Sequence, residues 1–351
     1  MKSYKIAVIP GDGIGKEVIP ESLKVLDAIA AQCGFAFQFE QYSYSCEYYV
    51  KHGRMMPKDG LDRLSDHDSI FLGAVGYPGV PDHVSLWGLL IPIRRSFEQY
   101  VNLRPVKLLD GISSPLKNPG NVDFYIVREN NEGEYSSAGG RIYENTENEV
   151  VVQESIFTRK GVDRIMKYAF ELADKRGKKI TSATKSNGIV HTMPFWDERF
   201  QAVGKDFPNV EQEQFHIDIL AAHFVQQPDR FDVVVASNLF GDILSDLGPA
   251  VVGGMGIAPG ANINPEGDYP SMFEPVHGSA PDIAGLNIAN PIACFWTAKM
   301  MLDHLGEDEA ADLLMGAIED GVKEGIVLTR DLGGSATTQE VTDDIIRRIM
   351  N

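Results

Sequence analysis

The sequence predicts an α/β fold, a mostly parallel sheet covered by helices. Two observations predict it. Apolar runs of strand length alternate with segments of helical spacing, and those runs end in turns rich in Gly and Pro. The length of 351 residues adds a bound: two domains, or one large α/β unit.

Taken in order, residues 4–9 form a first strand that ends in Pro10-Gly11-Asp12-Gly13. Residues 16–31 carry Val18, Ile19, Leu23, Val25, Leu26 and Ile29 near helical spacing, so a helix follows. Residues 35–40 alternate Phe35, Phe37 and Phe39 as a second strand, and residues 69–74 form a third that enters a loop reaching Pro81. Residues 123–127 are a strand running into the polar segment 128–135, and residues 149–157 alternate in strand style. A helix over 161–175 and a strand over 179–184 come next. Residues 231–236 read as a buried strand, with a helix after Gly241. From Val252 to about Pro291 the chain is rich in Gly and Pro, and helices dominate from there.

Thirty-two Lys and Arg against 50 Asp and Glu give a net charge of -18. Such a surface repels phosphate backbones, so neither nucleic acid nor an anionic membrane is an expected partner. An acidic small molecule would need a local cluster of arginines to invert the field. Hydrophobic residues at 43% and charged residues at 23% are ordinary, so long disordered tracts are not expected. Cys33, Cys46 and Cys294 fit neither a disulfide framework nor a zinc site and read as reduced thiols. No secretory signal and no apolar run of about 20 residues is visible, so the expected location is the cytoplasm.

Pro10-Gly11-Asp12-Gly13-Ile14-Gly15 invites a dinucleotide reading, but its spacing is G-x-G-x-G and no acidic residue stands in a ribose position. A tight strand-to-helix turn is the simpler reading. Asp242 and Asp246 are four apart and would share one helix face. They suit a hard cation such as Mg²⁺ or Mn²⁺, or they complement a helix dipole. Arg94, Arg104 and Arg128 stand at separate element ends, with Arg104 in extended chain before Pro105. Singly, each reads as a surface ion pair. As a set with the acids they are the forked donors a di- or tricarboxylate needs. Lys185 and Tyr135 are proton carriers if cations or burial lower their pKa values. Asp218 lies among Ile217, Ile219 and Leu220, where it needs a partner. The loop from His277 through Gly278, Ser279 and Ala280 to Asp282 exposes amides that suit a pyrophosphate.

Five segments together resemble the isocitrate and 3-isopropylmalate dehydrogenase family: residues 10–15, 102–105, 128–130, 238–246 and 274–285. Residues 46–49, 85–88 and 184–188 are similar to the branch of that family acting on tartrate and D-malate. The resemblance implies an isopropylmalate dehydrogenase-like two-domain fold, not a Rossmann fold, with its active-site cleft between the domains. A discontinuous cofactor domain would span residues 1–98 and 252–351. Residues 99–251 would carry substrate, metal and a homodimer contact, with the active site shared between subunits. Asp242 and Asp246 would bind Mn²⁺ or Mg²⁺ with Asp218 of a second copy. Arg94, Arg104 and Arg128 would grip a small dicarboxylic 2-hydroxy acid. Lys185 from the second copy would be the base, and Tyr135 would return a proton to carbon. His277, Gly278, Ser279, Ala280, Asp282, Ile283 and Asn290 would bind the cofactor. Asp282 favours NAD, because a carboxylate accepts from a ribose diol and repels a 2′-phosphate. A monovalent cation is left open.

Ser85, Trp87 and Leu90, with Ile91, would face the C3 substituent and fill the space beside a four-carbon acid. The implied activity is oxidation of tartrate and oxidative decarboxylation of D-malate to pyruvate and CO₂. The alternatives are a 3-isopropylmalate dehydrogenase and a non-catalytic ligand-sensing subunit.

Overall fold

The computed structural model describes residues 2–351. The chain divides into two compact units: Met1–Gln99, Lys107–Lys117 and Val252–Asn351 in one, Tyr100–Val106 and Asn118–Val251 in the other.

The first unit has strands in the order Ala36–Gln41, Ser3–Gly11, Ser69–Ala74, Ser271–Pro275, Pro259–Ile263. The first four run parallel and the last is antiparallel to its neighbour. Every residue of Ser69–Ala74 is buried, as a strand covered on both faces requires. The helix Gly15–Cys33 buries Val18, Ile19, Val25, Leu26 and Ile29, which are the periodic positions of the sequence. It stops at Gly34, whose φ of 82° is the left-handed conformation that glycine adopts without strain. The helix Ile292–His304 is buried nearly all round, so it forms part of the core.

The turn after the first strand is held by Asp12, which is fully buried. Its carboxylate accepts the amides of Cys46 at 2.9 Å, Glu47 at 3.2 Å and Gly76 at 3.3 Å. One side chain thus ties three loops together. Gly13 must be glycine here: its φ is +53°, and a Cβ would lie 2.0 Å from the Ser279 carbonyl oxygen.

The second unit has the strand order Val101–Lys107, Asp123–Glu129, Val233–Ala236, Lys179–Thr184, Glu211–His216. Its core includes Phe124, Phe170, Phe224 and Trp196, all fully buried. The Trp196 indole donates to Ser182 Oγ at 3.0 Å, which satisfies its one polar atom. A hairpin, Gly139–Ile142 with Val150–Gln153, is exposed at every position.

The sequence and the structure part at four places. Residues 149–157 give only the short strand Val150–Gln153 and a single bridge from Ile156 to Gly133, before Thr158 caps the helix Arg159–Lys175. The Gly- and Pro-rich stretch after Val252 contains two strands, Pro259–Ile263 and Ser271–Pro275. Their composition is poor for strands, and burial between covering layers overrides it. Glu211–His216 is a strand despite its polar sequence, since it lies at a sheet edge. Arg104 sits inside the strand Val101–Lys107 and not at its end. Among the described residues, no helix is long and apolar enough to cross a membrane.

Asp12→Ala leaves three amides without their charged acceptor. Bonds to charged groups contribute about 1.5–3 kcal/mol each, and some amides regain water. We expect a loss of about 2–4 kcal/mol in urea unfolding; a loss below about 0.5 kcal/mol would remove Asp12 from this structural role.

Candidate active site

The parallel register of the second unit sets which residues emerge together. Arg128 pairs with Ala236, so Arg128 and Asn238 leave the sheet side by side. Thr184 pairs with His216, so Lys185 and Asp218 do the same. All four lie at carboxyl ends of strands, where open α/β sheets bind ligands.

Arg128 is buried and lies along the helix Asn238–Val251. Its stem crosses Gly241, where a Cβ would approach Arg128 Cβ to 2.5 Å. Asn238 Oδ1 accepts from Nε at 3.1 Å and from Nη2 at 2.8 Å. Asp242 Oδ1 accepts from Nη1. The Tyr135 hydroxyl donates to Asp242 Oδ2 at 2.6 Å, and the Arg128 guanidinium stands 5.4 Å from the Tyr135 ring. Arg104 donates through Nε to Asn102 Oδ1 at 2.9 Å. Its charge acts on both Asp242 and Asp246.

The carboxyls of the two aspartates are shifted in opposite directions. Burial pushes the Asp242 carboxyl up, but Arg128, Tyr135 and Arg104 together hold it below the usual carboxylate range. Burial raises the Asp246 carboxyl, and the Asp242 charge one turn away raises it further. Neither acid is in the first turn of the helix, so a dipole role does not account for them. Burial first, and the bond to Asp242 second, push the Tyr135 phenol up to about 12. This is opposite to the lowering that the sequence reading required of a proton carrier.

Lys185 and Asp218 form a separate pair at 2.8 Å. Asp218 is not enclosed by its apolar neighbours. It stands on the first turn of Ile217–Gln226 with its side chain 69% exposed, and the hydrogen bond from Lys185 lowers its pKa. Among the described residues, no three His, Cys, Asp or Glu side chains are gathered to hold a metal. Within one chain, therefore, Asp218 does not join Asp242 and Asp246.

In the first unit, Ser85, Trp87, Leu90 and Arg94 share one helical run. It passes through a wide π-type turn, Leu86–Leu90, a feature common at functional sites. Ser85 Oγ donates to the Asp82 carbonyl at 2.9 Å. Trp87 is partly exposed with Arg95 5.2 Å above its ring. Leu90 packs against a core containing Tyr42, Met55 and Ile70, and Ile91 is itself buried. Arg94 is buried, with Nη2 donating to Glu274 Oε1 at 2.7 Å. Its Nε has no hydrogen-bond partner among the described residues. A buried donor left so costs about 1–3 kcal/mol, which an anionic ligand would offset.

His277, Ile283 and Asn290 line a cavity of about 420 Å³ with Ile14, Ile288 and Asp331. Asn290 Nδ2 donates to Asp331 Oδ2 at 2.8 Å. The Ser279 carbonyl accepts the Ile14 amide at 2.8 Å, and Ala280 takes a positive φ of 38°. His277 Nδ1 lies 3.0 Å from the Gly278 carbonyl, burial lowers its pKa, and Nε2 has no partner among the described residues. Gly278 and Asp282 are exposed. Glu17 accepts the amides of Gly285 and Asn287, which fastens the end of the loop.

Sequence reasoning gave no role to Asn238, Glu134, Glu129 or Asp331. Glu134 takes Ser237 Oγ at 2.8 Å and the Leu239 amide at 3.0 Å, capping the helix of the two aspartates. The signal for Asn238 was its i, i+4 spacing to Asp242. Glu129 carried none. It is fully buried, accepts the amides of Asn131 at 2.7 Å and Glu132 at 3.1 Å, and burial pushes its carboxyl up to about 7.

An isocitrate/isopropylmalate dehydrogenase family model matches residues 5–345. The chain belongs to this family and is an oxidoreductase. It is 59% identical to D-malate dehydrogenase [decarboxylating] of Escherichia coli (strain K12), covering 100% of this chain and 99% of that protein. It is 57% identical to a tartrate dehydrogenase/decarboxylase of Pseudomonas putida, covering 97% and 96%. The crystal structure of isocitrate dehydrogenase from Methylococcus capsulatus superposes with a TM-score of 0.89 at 33% identity, covering 99% of this chain and 100% of that one.

Glu129 makes a pH-dependent contribution to stability. Its carboxyl rises from the ordinary 4.5 to about 7 on folding, so the folded chain keeps its proton to higher pH than the unfolded one. The stability this confers is present below pH 4.5 and is lost as pH rises through 7. Glu129→Gln does not titrate. The stability of the variant relative to wild type should grow by about 1–3 kcal/mol between pH 4.5 and 8; a constant difference in chemical denaturation would show that burial does not shift Glu129.

Proposed function

We propose that this chain is an NAD- and divalent-metal-dependent dehydrogenase that oxidises tartrate and converts D-malate to pyruvate and CO₂. The observation that carries the chemistry is the cluster of Arg128, Tyr135 and Asp242, with Asp246 one turn away. The names of the similar proteins support the choice of acids.

The residues fit both groups. Asp242 and Asp246 are hard oxygen donors on one helix face, and their mutual repulsion is what a cation relieves. The cavity beside His277 and Asn290, with its unpartnered imidazole nitrogen, fits a polar ring. The exposed Asp282 favours NAD over its phosphorylated form. When bound, the divalent ion supplies Lewis-acid polarisation of the C2 oxygen, and NAD supplies the hydride acceptor.

The chain's own residues do the rest. Arg104 and Arg128 bind carboxylate, and Arg94 is the proposed third guanidinium. Lys185 Nζ, once its own proton has been released and it stands as the neutral amine, takes the proton of the C2 hydroxyl. Departure of the carboxylate on C3 leaves that carbon needing a proton, which Tyr135 Oη delivers. A phenol held near 12 keeps its proton until a strongly basic carbon is present. With tartrate, the hydroxyl on C3 allows oxidation without loss of CO₂.

Lys185 and Asp218 are proposed to complete the site of a second copy in a homodimer. The exposed hairpin, bearing Ile142, Val150, Val151 and Val152, supports this reading. So do the outward Ile219 and Val225 of one helix and Leu239 and Ile243 of the helix packed beside it. A lone soluble chain rarely leaves so many large apolar side chains grouped.

With NAD and Mn²⁺, kcat/KM for D-malate should exceed that for 3-isopropylmalate. The reverse order defeats the substrate assignment, and no NADH from any 2-hydroxy acid would favour a sensing subunit. Lys185→Met should lower kcat by about 10²- to 10⁴-fold while NAD binding changes less than about twofold. Near-normal turnover would remove Lys185 from its role as base.

A further inference from the structure

We propose that Asn238 is a positioning residue for substrate recognition: its side-chain amide fixes the plane of the Arg128 guanidinium without cancelling its charge. The inference rests on the reading of Arg128 as a carboxylate grip.

An arginine binds a carboxylate with two parallel bonds only when the carboxylate lies in the guanidinium plane against one of its edges. Left to itself, the long side chain samples many rotamers. Asn238, Gly241 and Asp242 are i, i+3 and i+4 on one helix face, and all three touch Arg128. Gly241 admits the stem. Asn238 Oδ1 accepts from both Nε and Nη2, the two nitrogens of one edge, and so defines the plane. The amide is itself fixed, because Nδ2 donates to the Glu132 carbonyl at 3.0 Å. Asn238 is only 2% exposed, so water does not readily replace it.

The residue type matters. An aspartate at 238 could still accept from Arg128 but could not donate to the Glu132 carbonyl. It would also place a second carboxylate beside Asp242 against the same guanidinium. Asp242 already pairs with that guanidinium, so the second carboxylate would leave the cluster net negative before a substrate arrived. Asparagine orients the group and leaves the balance of charge unchanged.

The test is a double-mutant cycle on the diacid that the enzyme turns over fastest. Arg128→Lys replaces the planar fork by a compact ammonium with no plane to orient. Asn238→Ala in wild type should raise KM for the acid about tenfold, with kcat lowered less than about threefold and KM for NAD within about twofold. In the Arg128→Lys background the same change should move KM less than about twofold. Additive effects, or no effect of Asn238→Ala alone, overturn the role of Asn238. An unchanged KM in Arg128→Lys itself overturns the grip assigned to Arg128, which is a separate failure. If Asn238→Ala does not fold, Asn238→Asp preserves the volume; it should raise KM for the acid about tenfold, and an unchanged KM overturns the proposal.

Discussion

The Asp242 carboxylate divides its two oxygens between the Arg128 guanidinium and the Tyr135 hydroxyl. That division organises the second unit's strand ends. Arg128 leaves one strand, Tyr135 follows it seven residues later, and Asp242 sits one turn into the helix after another strand. One aspartate thereby holds a cation, a phenol and a helix face in register. The surrounding acids support it from outside, since Glu134 caps the helix and Glu132 receives Thr158 at the start of the helix Arg159–Lys175. Moving any one of these elements would separate the groups that meet at Asp242.

This arrangement explains how a chain of net charge -18 can deal with an anionic ligand. Long-range repulsion is screened within about 8–10 Å in physiological salt. What counts at close range is the local arrangement of charge, and the guanidiniums of Arg94, Arg104 and Arg128 are all buried. Arg104 and Arg128 both act on the aspartate pair. Arg94, buried beside Glu274, keeps one N–H that no group of the described residues satisfies. Each of these cations is fixed by a side-chain partner within its own unit.

Much of the fold was legible because burial and periodicity agree. The strands at 69–74 and 179–184 and the helix beginning near Lys16 follow from apolar runs and helical spacing. Pro259–Ile263 and Ser271–Pro275 were not legible, because their neighbours in the sheet, and not their own composition, make them strands. Of the candidate site, Arg128 and Lys185 stand out in the sequence as charged residues where apolar strands end, and Asp242 and Asp246 as a pair four apart. The supporting side chains do not. Asn238 and Glu134 look like ordinary polar residues in sequence, and only strand register shows what they hold. Asp218 was misread in one respect, since flanking apolar residues on a helix can face away from an exposed acid.

The central claim is that Asp242, with its charge kept ionised by Arg128, is a cation ligand as well as an anchor for Tyr135. Direct titration of purified protein with Mn²⁺, followed by the loss of the free-ion electron paramagnetic resonance signal, tests it without reference to turnover. The account predicts a saturable site whose affinity falls at least about tenfold in Asp242→Asn. Equal affinity in the two proteins would contradict it.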